Sequence, residues 1–175
     1  HSLHSPFFFD LYARTIKDAS DIGTFDPIEQ WRYKLLSDDR SIEVTDFGSG
    51  SSHIKGPNRR ISKIAKVSLS TRKYSLLYRR ILDRFNCQNI LELGTSLGIN
   101  TLYLASRKGC HVTTFEGSPS LVETAQELFG AADANNILVI PGDIDRTLPK
   151  FLRSVEKIDF AFLDANHRYE PTLQY

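Results

Sequence analysis

From Thr71 onward, short apolar runs alternate with segments that have helical periodicity. The first is a predicted amphipathic helix behind a Thr71 cap, because its apolar residues recur at intervals of three and four; they are Tyr74, Leu77, Tyr78, Ile81, Leu82 and Phe85. Predicted strands follow, separated by helices, over 89–93, 111–116, 136–140 and 158–163. Such alternation requires a parallel sheet with covered faces. The sequence therefore predicts an α/β fold with a doubly wound, mostly parallel sheet over residues 71–175.

Before Thr71 the pattern is less regular, and it predicts a helical N-terminal segment over residues 1–70. One helix candidate runs from Pro6 to Lys17. A second opens at Asp26, where Asp26 is the expected cap, Pro27 the first helical residue and Glu29 the capping-box partner. We expect this segment to pack on the core, and it is a candidate cover for a substrate site.

Composition excludes several classes of protein. The chain of 175 residues is 41% hydrophobic and 25% charged, as in globular domains, and its formal net charge of +1 gives no case for nucleic-acid binding. No apolar run is long enough for a membrane span and no signal-peptide pattern opens the chain, so a cytoplasmic location is expected. Cys87 and Cys110 are expected to be ordinary reduced thiols. With no Met, and an end just after a strand and a loop, the sequence is expected to lack the C-terminal strands of its sheet.

A glycine-containing turn lies where the first predicted strand ends and the next helix begins. It has the sequence Glu92-Leu93-Gly94-Thr95-Ser96-Leu97-Gly98. Glycine allows a sharp turn and a close backbone approach to a ligand, and a helix N-terminus presents free amides. The dinucleotide fingerprint needs G-x-G-x-x-G, whereas the glycines here are four apart. This spacing disfavours a nicotinamide-dependent oxidoreductase, which stays an alternative.

With Glu92 two residues before Gly94, the turn resembles motif I of class I S-adenosylmethionine-dependent methyltransferases, an E/D-x-G-x-x-x-G loop. The resemblance implies a Rossmann-like fold of the methyltransferase type. It also implies that four residues hold the methionyl part of S-adenosylmethionine, namely Glu92, Gly94, Ser96 and Gly98. A methyltransferase-like interaction module without catalytic activity is a second alternative.

Two further strand ends carry acidic residues. Glu116 follows Gly94 by about twenty residues, the spacing at which an acidic side chain accepts hydrogen bonds from ribose hydroxyls. Gly142-Asp143, after the third strand, resembles the G-D of the same family, which implies that Asp143 meets the adenine amino group. The alternatives are a solvated glutamate at a strand end and a Pro-Gly-Asp turn without a ligand.

After the fourth strand, Asp164-Ala165-Asn166-His167-Arg168-Tyr169 is similar to the D-x-D/N-H/K-x-x-Y segment of small-molecule O-methyltransferases. The resemblance implies methyl transfer to oxygen on a small-molecule acceptor. His167 has a suitable pKa for a general base, unless it is a surface histidine. Asp164 is a candidate contact for the acceptor, or a ligand for Mg²⁺ or another divalent cation whose further ligands would lie later in the chain.

Three other segments are weaker signals. Asp46-Phe47-Gly48-Ser49-Gly50-Ser51 is better explained as a flexible connection than as a second cofactor loop, because Gly56-Pro57 interrupts any helix after it. The basic segment 59–66 is predicted to be a helix with a packed apolar face and a solvated basic one, with phosphate or acidic-substrate binding as the alternative. An N-terminal aromatic cluster is a candidate core or dimer contact, or a substrate lid; it comprises Phe7, Phe8, Phe9 and Tyr12.

Overall fold

The computed structural model describes residues 5–17, 25–45 and 56–165. The strands, in chain order, are β1 Ser41–Glu43, β2 Asn58–Arg60, β3 Asn89–Leu93, β4 His111–Glu116, β5 Ile137–Pro141 and β6 Phe160–Leu163. The helices are α1 Pro6–Leu11, continued by a π-helical turn Tyr12–Ile16, then α2 Asp26–Leu36, α3 Ile61–Ser68, α4 Arg72–Arg84, α5 Ile99–Ala105, α6 Pro119–Ala131 and α7 Ile144–Leu152.

Four parallel strands in the order β5-β4-β3-β6 form the central sheet. Leu93, at the end of β3, is opposite Phe115 of β4 and Leu163 of β6. Glu116 is in turn opposite Pro141, so the carboxyl ends of all four strands lie at one rim. This topology confirms the predicted Rossmann-like α/β fold.

Helices cover both faces of the sheet. On one face, Ile90 and Val112 pack with α4 and α5, and a larger buried cluster joins α5 and α6 to α2 and α3. On the other face, α7 packs Leu148 against Leu91, Leu93 and Phe115. No helix among the described residues is long and apolar enough to cross a membrane.

The N-terminal segment contains a β-hairpin that the sequence pattern does not predict. β1 and β2 pair antiparallel, and Ile61 N donates to Arg40 O beside that pairing. The predicted helix over 59–66 was therefore wrong at its start, because residues 58–60 pair as a strand and α3 begins at Ile61. Its predicted packed face is confirmed, since Ile61, Ile64 and Ala65 are buried. The Asp46–Ser51 turn lies outside the described residues.

The predicted capping box at α2 was wrong. Phe25 is the N-cap residue, and no side chain caps this helix. The Glu29 carboxylate instead accepts hydrogen bonds from Arg32 Nε at 3.0 Å and from the Tyr103 hydroxyl at 2.6 Å. Arg32 lies one turn further along α2 and Tyr103 lies on α5, so an ion pair within the helix and a tertiary hydrogen bond together take the place of the capping interaction.

The predicted apolar face of α4 was only partly correct. Leu82 is fully buried, but Tyr74 and Phe85 are 52% and 48% exposed. Ser75 and Arg79 face the core instead, because the Ser75 hydroxyl donates to Asn100 Oδ1 and Arg79 Nε donates to Ser106 Oγ, both on or next to α5. Polar contacts between neighbouring helices have rotated α4 away from its most apolar orientation.

We expect Leu82→Ala to lower the free energy of unfolding by about 2 to 5 kcal/mol, because it leaves a cavity between α4 and the sheet. The matched control is Phe85→Ala, a larger truncation one turn along the chain at a half-exposed position, which should cost less. Urea unfolding of both variants measures the difference. An equal or larger loss for Phe85→Ala would contradict this orientation of α4.

Candidate functional site

Three hydrogen bonds bring the predicted site residues to one rim of the sheet. Gly94 N donates to Phe115 O at 3.0 Å, Gly142 N donates to Glu116 O at 2.8 Å, and Asp164 N donates to Leu93 O at 2.8 Å. They connect residues at or just beyond the carboxyl ends of β3, β4, β5 and β6. In open parallel sheets this rim is where ligands bind.

Gly94 permits the closest approach of two backbones at this rim. Its φ is +100°, a conformation that favours glycine. A Cβ atom at this position would lie 2.7 Å from the carbonyl oxygen of Asp164 and 3.1 Å from Ala165 N. The β3–α5 turn and the chain leaving β6 can therefore meet only because residue 94 has no side chain.

The rest of the turn is also held in unusual conformations. Ser96 has φ +49° and Gly98 has φ +82°. A Cβ at Gly98 would lie 2.7 Å from Cε1 of Phe129 on α6. Residue 98 must therefore be a glycine because the turn packs closely against α6. The spacing of the glycines in the sequence does not show this contact.

The Glu116 carboxylate joins this turn to the start of α6. Its Oε2 accepts from Ser96 N at 2.9 Å and its Oε1 accepts from Ser118 N at 3.0 Å. The side chain is half-buried at the rim, next to the cofactor position that the sequence predicts for it. It therefore organises two loops in addition to its predicted contact with ribose.

Asp143 has a local structural role. It is the N-cap residue of α7, and its Oδ1 accepts from Asp145 N at 3.1 Å. Its Oδ2 lies 3.7 Å from Arg146 Nε. Gly142, just before it, has φ +113° and completes the bend. The Pro-Gly-Asp turn therefore caps α7, and it does so at the carboxyl end of β5.

Glu92 lies beneath the turn, fully buried between the sheet and α5. Its Oε2 accepts from the Thr101 hydroxyl at 2.5 Å and from the Thr114 hydroxyl at 2.8 Å, while its Oε1 accepts from Asn100 Nδ2 at 3.0 Å. Burial raises the pKa of the Glu92 carboxyl to about 7, although the three donors oppose that effect. Both carboxylate oxygens of Glu92 therefore accept hydrogen bonds from side chains of the protein itself.

Asp164 is half-buried at the end of β6. Its negative charge raises the pKa of the Tyr78 hydroxyl, secondarily to burial, and it acts on the pKa of Glu92 in the same sense. His167 lies outside the described residues. Within residues 5–17, 25–45 and 56–165, no group of three His, Cys, Asp or Glu side chains is arranged to hold a metal ion.

Sequence reasoning missed the residues that connect the N-terminal segment to this rim. Thr45 N donates to Ser118 Oγ at 3.2 Å, and Ser120 Oγ donates to Glu43 O at 2.5 Å. From α3, the hydroxyl of Ser68 accepts from Ser96 Oγ at 3.0 Å. No sequence pattern identifies these serine contacts, because each depends on how the hairpin and α3 dock.

A separate cavity of about 410 Å³ lies between α2 and the C-terminal ends of α5 and α6. Trp31, Leu102 and Ala131 are among its lining residues. Since α5 and α6 each lead into the start of a strand, this cavity is at the opposite end of the sheet from the rim.

Comparison with known families finds a match for the second half of the chain. Residues 91–175 match the family model described as a methyltransferase domain. None of the curated proteins matches the chain. The match begins at Leu91 within β3, so it includes Gly94, Glu116, Asp143 and Asp164 together with the turns that join them at the rim.

Solved structures share the fold of this chain. An O-methyltransferase from Bacillus cereus in complex with S-adenosylhomocysteine matches with a TM-score of 0.65 at 19% identity, over 87% of this chain and 60% of its own. A methyltransferase from Podospora anserina bound to the same molecule matches with a TM-score of 0.58 at 18% identity, over 95% and 60%.

A third structure is an O-methyltransferase from Streptomyces achromogenes involved in tomaymycin synthesis, in complex with S-adenosylmethionine. It matches with a TM-score of 0.57 at 23% identity, over 61% of this chain and 50% of its own. The chain thus spans about half to three fifths of the length of these three proteins. At such identities the likeness shows a common fold.

We expect Gly94→Ala to lower the free energy of unfolding by about 2 to 5 kcal/mol, because the strained φ and the contact with the Asp164 carbonyl add together. Gly109→Ala is the matched control. It has φ +75°, but a Cβ atom there would meet no other atom within 4 Å, so only the backbone cost of about 1 to 2 kcal/mol should appear. Denaturant unfolding distinguishes the two, and equal losses would contradict the backbone contact at Gly94.

Glu92→Gln should change how stability depends on pH. Because the folded pKa of Glu92 is raised above 4.5, its contribution favours folding below pH 4.5 and is lost as the pH rises to about 7. The glutamine variant lacks this titration, so its stability relative to the wild type should rise over that interval by up to about 3 kcal/mol. Urea unfolding at pH 4.5, 6 and 8 measures it, and a constant difference would refute the raised pKa.

Proposed function

We propose that this chain carries the cofactor site of an S-adenosylmethionine-dependent methyltransferase that methylates an oxygen of a small molecule. The observation that carries the proposal is the convergence of a tight glycine turn and two carboxylates at adjacent strand ends. Gly94, Glu116 and Asp143 lie on consecutive strands of one rim, joined by backbone hydrogen bonds. The family match of residues 91–175 supports the same activity.

The donors and acceptors at the rim fit an adenosyl sulfonium. The turn before α5 supplies backbone close to the position proposed for the methionyl group, and the carboxylates of Glu116 and Asp143 supply acceptors for ribose hydroxyls and an adenine amino group. Ser96 would contact the methionyl part, while Glu92 and Gly98 would act by holding the turn. Gly142 would let the chain bend toward the adenine.

When bound, S-adenosylmethionine supplies a methyl group made electrophilic by the sulfonium. The chain then needs to align the acceptor oxygen and remove its proton. We assign these tasks to Asp164, adjacent to the Gly94 turn, and to His167 in the segment that follows. An ionised Asp164 would hold the acceptor hydroxyl by a hydrogen bond, and a neutral His167 would take its proton.

Three finer points belong to the same proposal. A divalent cation at Asp164 stays a prediction from the sequence, as does a cytoplasmic location. A homodimer is supported by the outward-facing side chains of α1, where Phe7, Phe8 and Phe9 are 56%, 56% and 60% exposed. Exposed aromatic clusters of this kind are typical of contact surfaces.

Isothermal titration calorimetry with S-adenosylhomocysteine and with NADH tests the cofactor. We expect the full chain to bind S-adenosylhomocysteine and not NADH. Binding of NADH alone would favour the oxidoreductase, and binding of neither would favour an interaction module without a cofactor. A melting temperature that rises at saturating S-adenosylhomocysteine provides an independent readout.

Glu116→Ala should weaken S-adenosylhomocysteine binding at least about tenfold, because it removes charge-assisted hydrogen bonds worth about 1.5 to 3 kcal/mol. The matched control is Glu123→Ala, at an exposed position on α6, which should leave the affinity within about twofold. Calorimetry measures the affinity of both variants for S-adenosylhomocysteine. Undiminished affinity in Glu116→Ala would remove Glu116 from the site.

A further inference from the structure

A buried chain of hydroxyl groups connects the β3–α5 turn to Glu92. Thr95 Oγ1 lies 2.6 Å from Thr114 Oγ1, and Thr114 Oγ1 donates to Glu92 Oε2 at 2.8 Å. Thr95 and Thr114 are 4% and 0% exposed. Two buried hydroxyls in contact with each other and with an acid cost free energy unless every proton has an acceptor.

The direction of these hydrogen bonds follows from the number of protons. Above pH 7 the Glu92 carboxylate is mostly ionised and only accepts, so the single hydroxyl proton of Thr114 points to Glu92. Thr114 can then only accept from Thr95, and Thr95 donates. The ionised acid therefore orients the side chain of Thr95. Through Thr95 it also constrains Ser96, the next residue of the turn.

The turn needs such support because it is strained. Ser96 has φ +49°, which is unfavourable for a residue with a side chain. Thr95 lies directly before it, and the Thr95 carbonyl accepts from Gly98 N at 2.9 Å to close the turn. A rotation of Thr95 would therefore displace both Ser96 and the start of α5.

Two residues on the same face of β4 support the turn from below. Thr114 and Glu116 are two apart in a strand, so their side chains point to the same side. Thr114 holds the side chain of Thr95, and Glu116 holds the amide of Ser96 at 2.9 Å. One face of a single strand thus fixes two successive residues of the turn.

We propose that Thr114 and Thr95 are positioning residues for the cofactor: their hydroxyl pair, anchored on Glu92, holds the β3–α5 turn in its ligand-binding conformation. The inference rests on the proposed function, because it assigns a cofactor to this turn. Thr114 lies outside the motif that resembles a methyltransferase loop. It acts through Thr95.

The test measures S-adenosylhomocysteine affinity by calorimetry at pH 8, where Glu92 is mostly ionised, together with melting temperature, in variants of the full chain. Thr114→Val and Thr95→Val each keep the shape of the side chain and remove the hydroxyl. We expect each to weaken binding at least about fivefold, the effect of losing one buried hydrogen bond. Thr114→Ser, which restores the hydroxyl, should return the affinity to within about twofold of the wild type.

Thr101→Val is the matched control. Thr101 donates to the same Glu92 oxygen at 2.5 Å, but from α5 and with no hydrogen bond to Thr95. We expect Thr101→Val to lower the melting temperature while the affinity stays within about twofold of the wild type. Should Thr114→Val not fold, Thr95→Val, at the other end of the same hydrogen bond, carries the test.

Wild-type affinity in Thr95→Val and Thr114→Val would overturn the inference and leave the proposed function standing. An equal loss of affinity in Thr101→Val, or no recovery in Thr114→Ser, would also overturn it, because the effect would then be a general consequence of disturbing Glu92. A wild-type chain that does not bind S-adenosylhomocysteine would overturn the proposed function and the inference together.

Discussion

The buried carboxylate of Glu92 is the constraint on which the arrangement of this rim depends. A carboxylate removed from water costs several kcal/mol unless hydrogen-bond donors surround it. The donors come from two neighbouring elements: Thr114 from the adjacent strand, and Asn100 and Thr101 from the first turn of α5. The hydrogen bonds to Glu92 therefore fix the positions of β4 and α5 relative to β3. They also restrict the conformation of the turn between β3 and α5.

The same arrangement favours the ligand site that we propose at this rim. The glycine at position 94 lets the backbone leaving β6 approach the β3–α5 turn to contact distance. Glu116 joins the turn to the start of α6 on the other side. A site assembled from backbone turns with fixed partners is preorganised, so less of the binding free energy is lost to ordering the protein.

The N-terminal segment belongs to this construction more closely than its sequence suggests. Its helices α2 and α3 share a buried cluster with α5 and α6, and its hairpin reaches Ser118 and Ser120 at the rim. Ser68 contacts Ser96 within the turn itself. The predicted boundary at residue 70 therefore separates two patterns in the sequence, while in space the two parts meet at the proposed cofactor site.

Periodicity and turn chemistry predict much of the fold, because they act over a few residues. The predicted range of β4 is the observed one, and glycine spacing alone indicates the turn at Gly94. Errors arise where distant residues compete. Glu29, the predicted capping-box partner at α2, accepts a hydrogen bond from Tyr103 instead. In α4, Ser75 faces α5 and donates to Asn100, although the helix has more apolar residues that the pattern predicted at that face.

The sequence by itself determined the order of strands and helices, the sharp turns and the acids at strand ends, since local backbone preferences and hydrophobic patterning specify them. Only the tertiary structure decided which groups donate hydrogen bonds to each of those acids. Glu92 and Glu116 are both acids at strand ends, yet one is enclosed by threonines and the other accepts from two backbone amides. That difference depends on which helix packs over each strand, and such packing is a property of the whole chain.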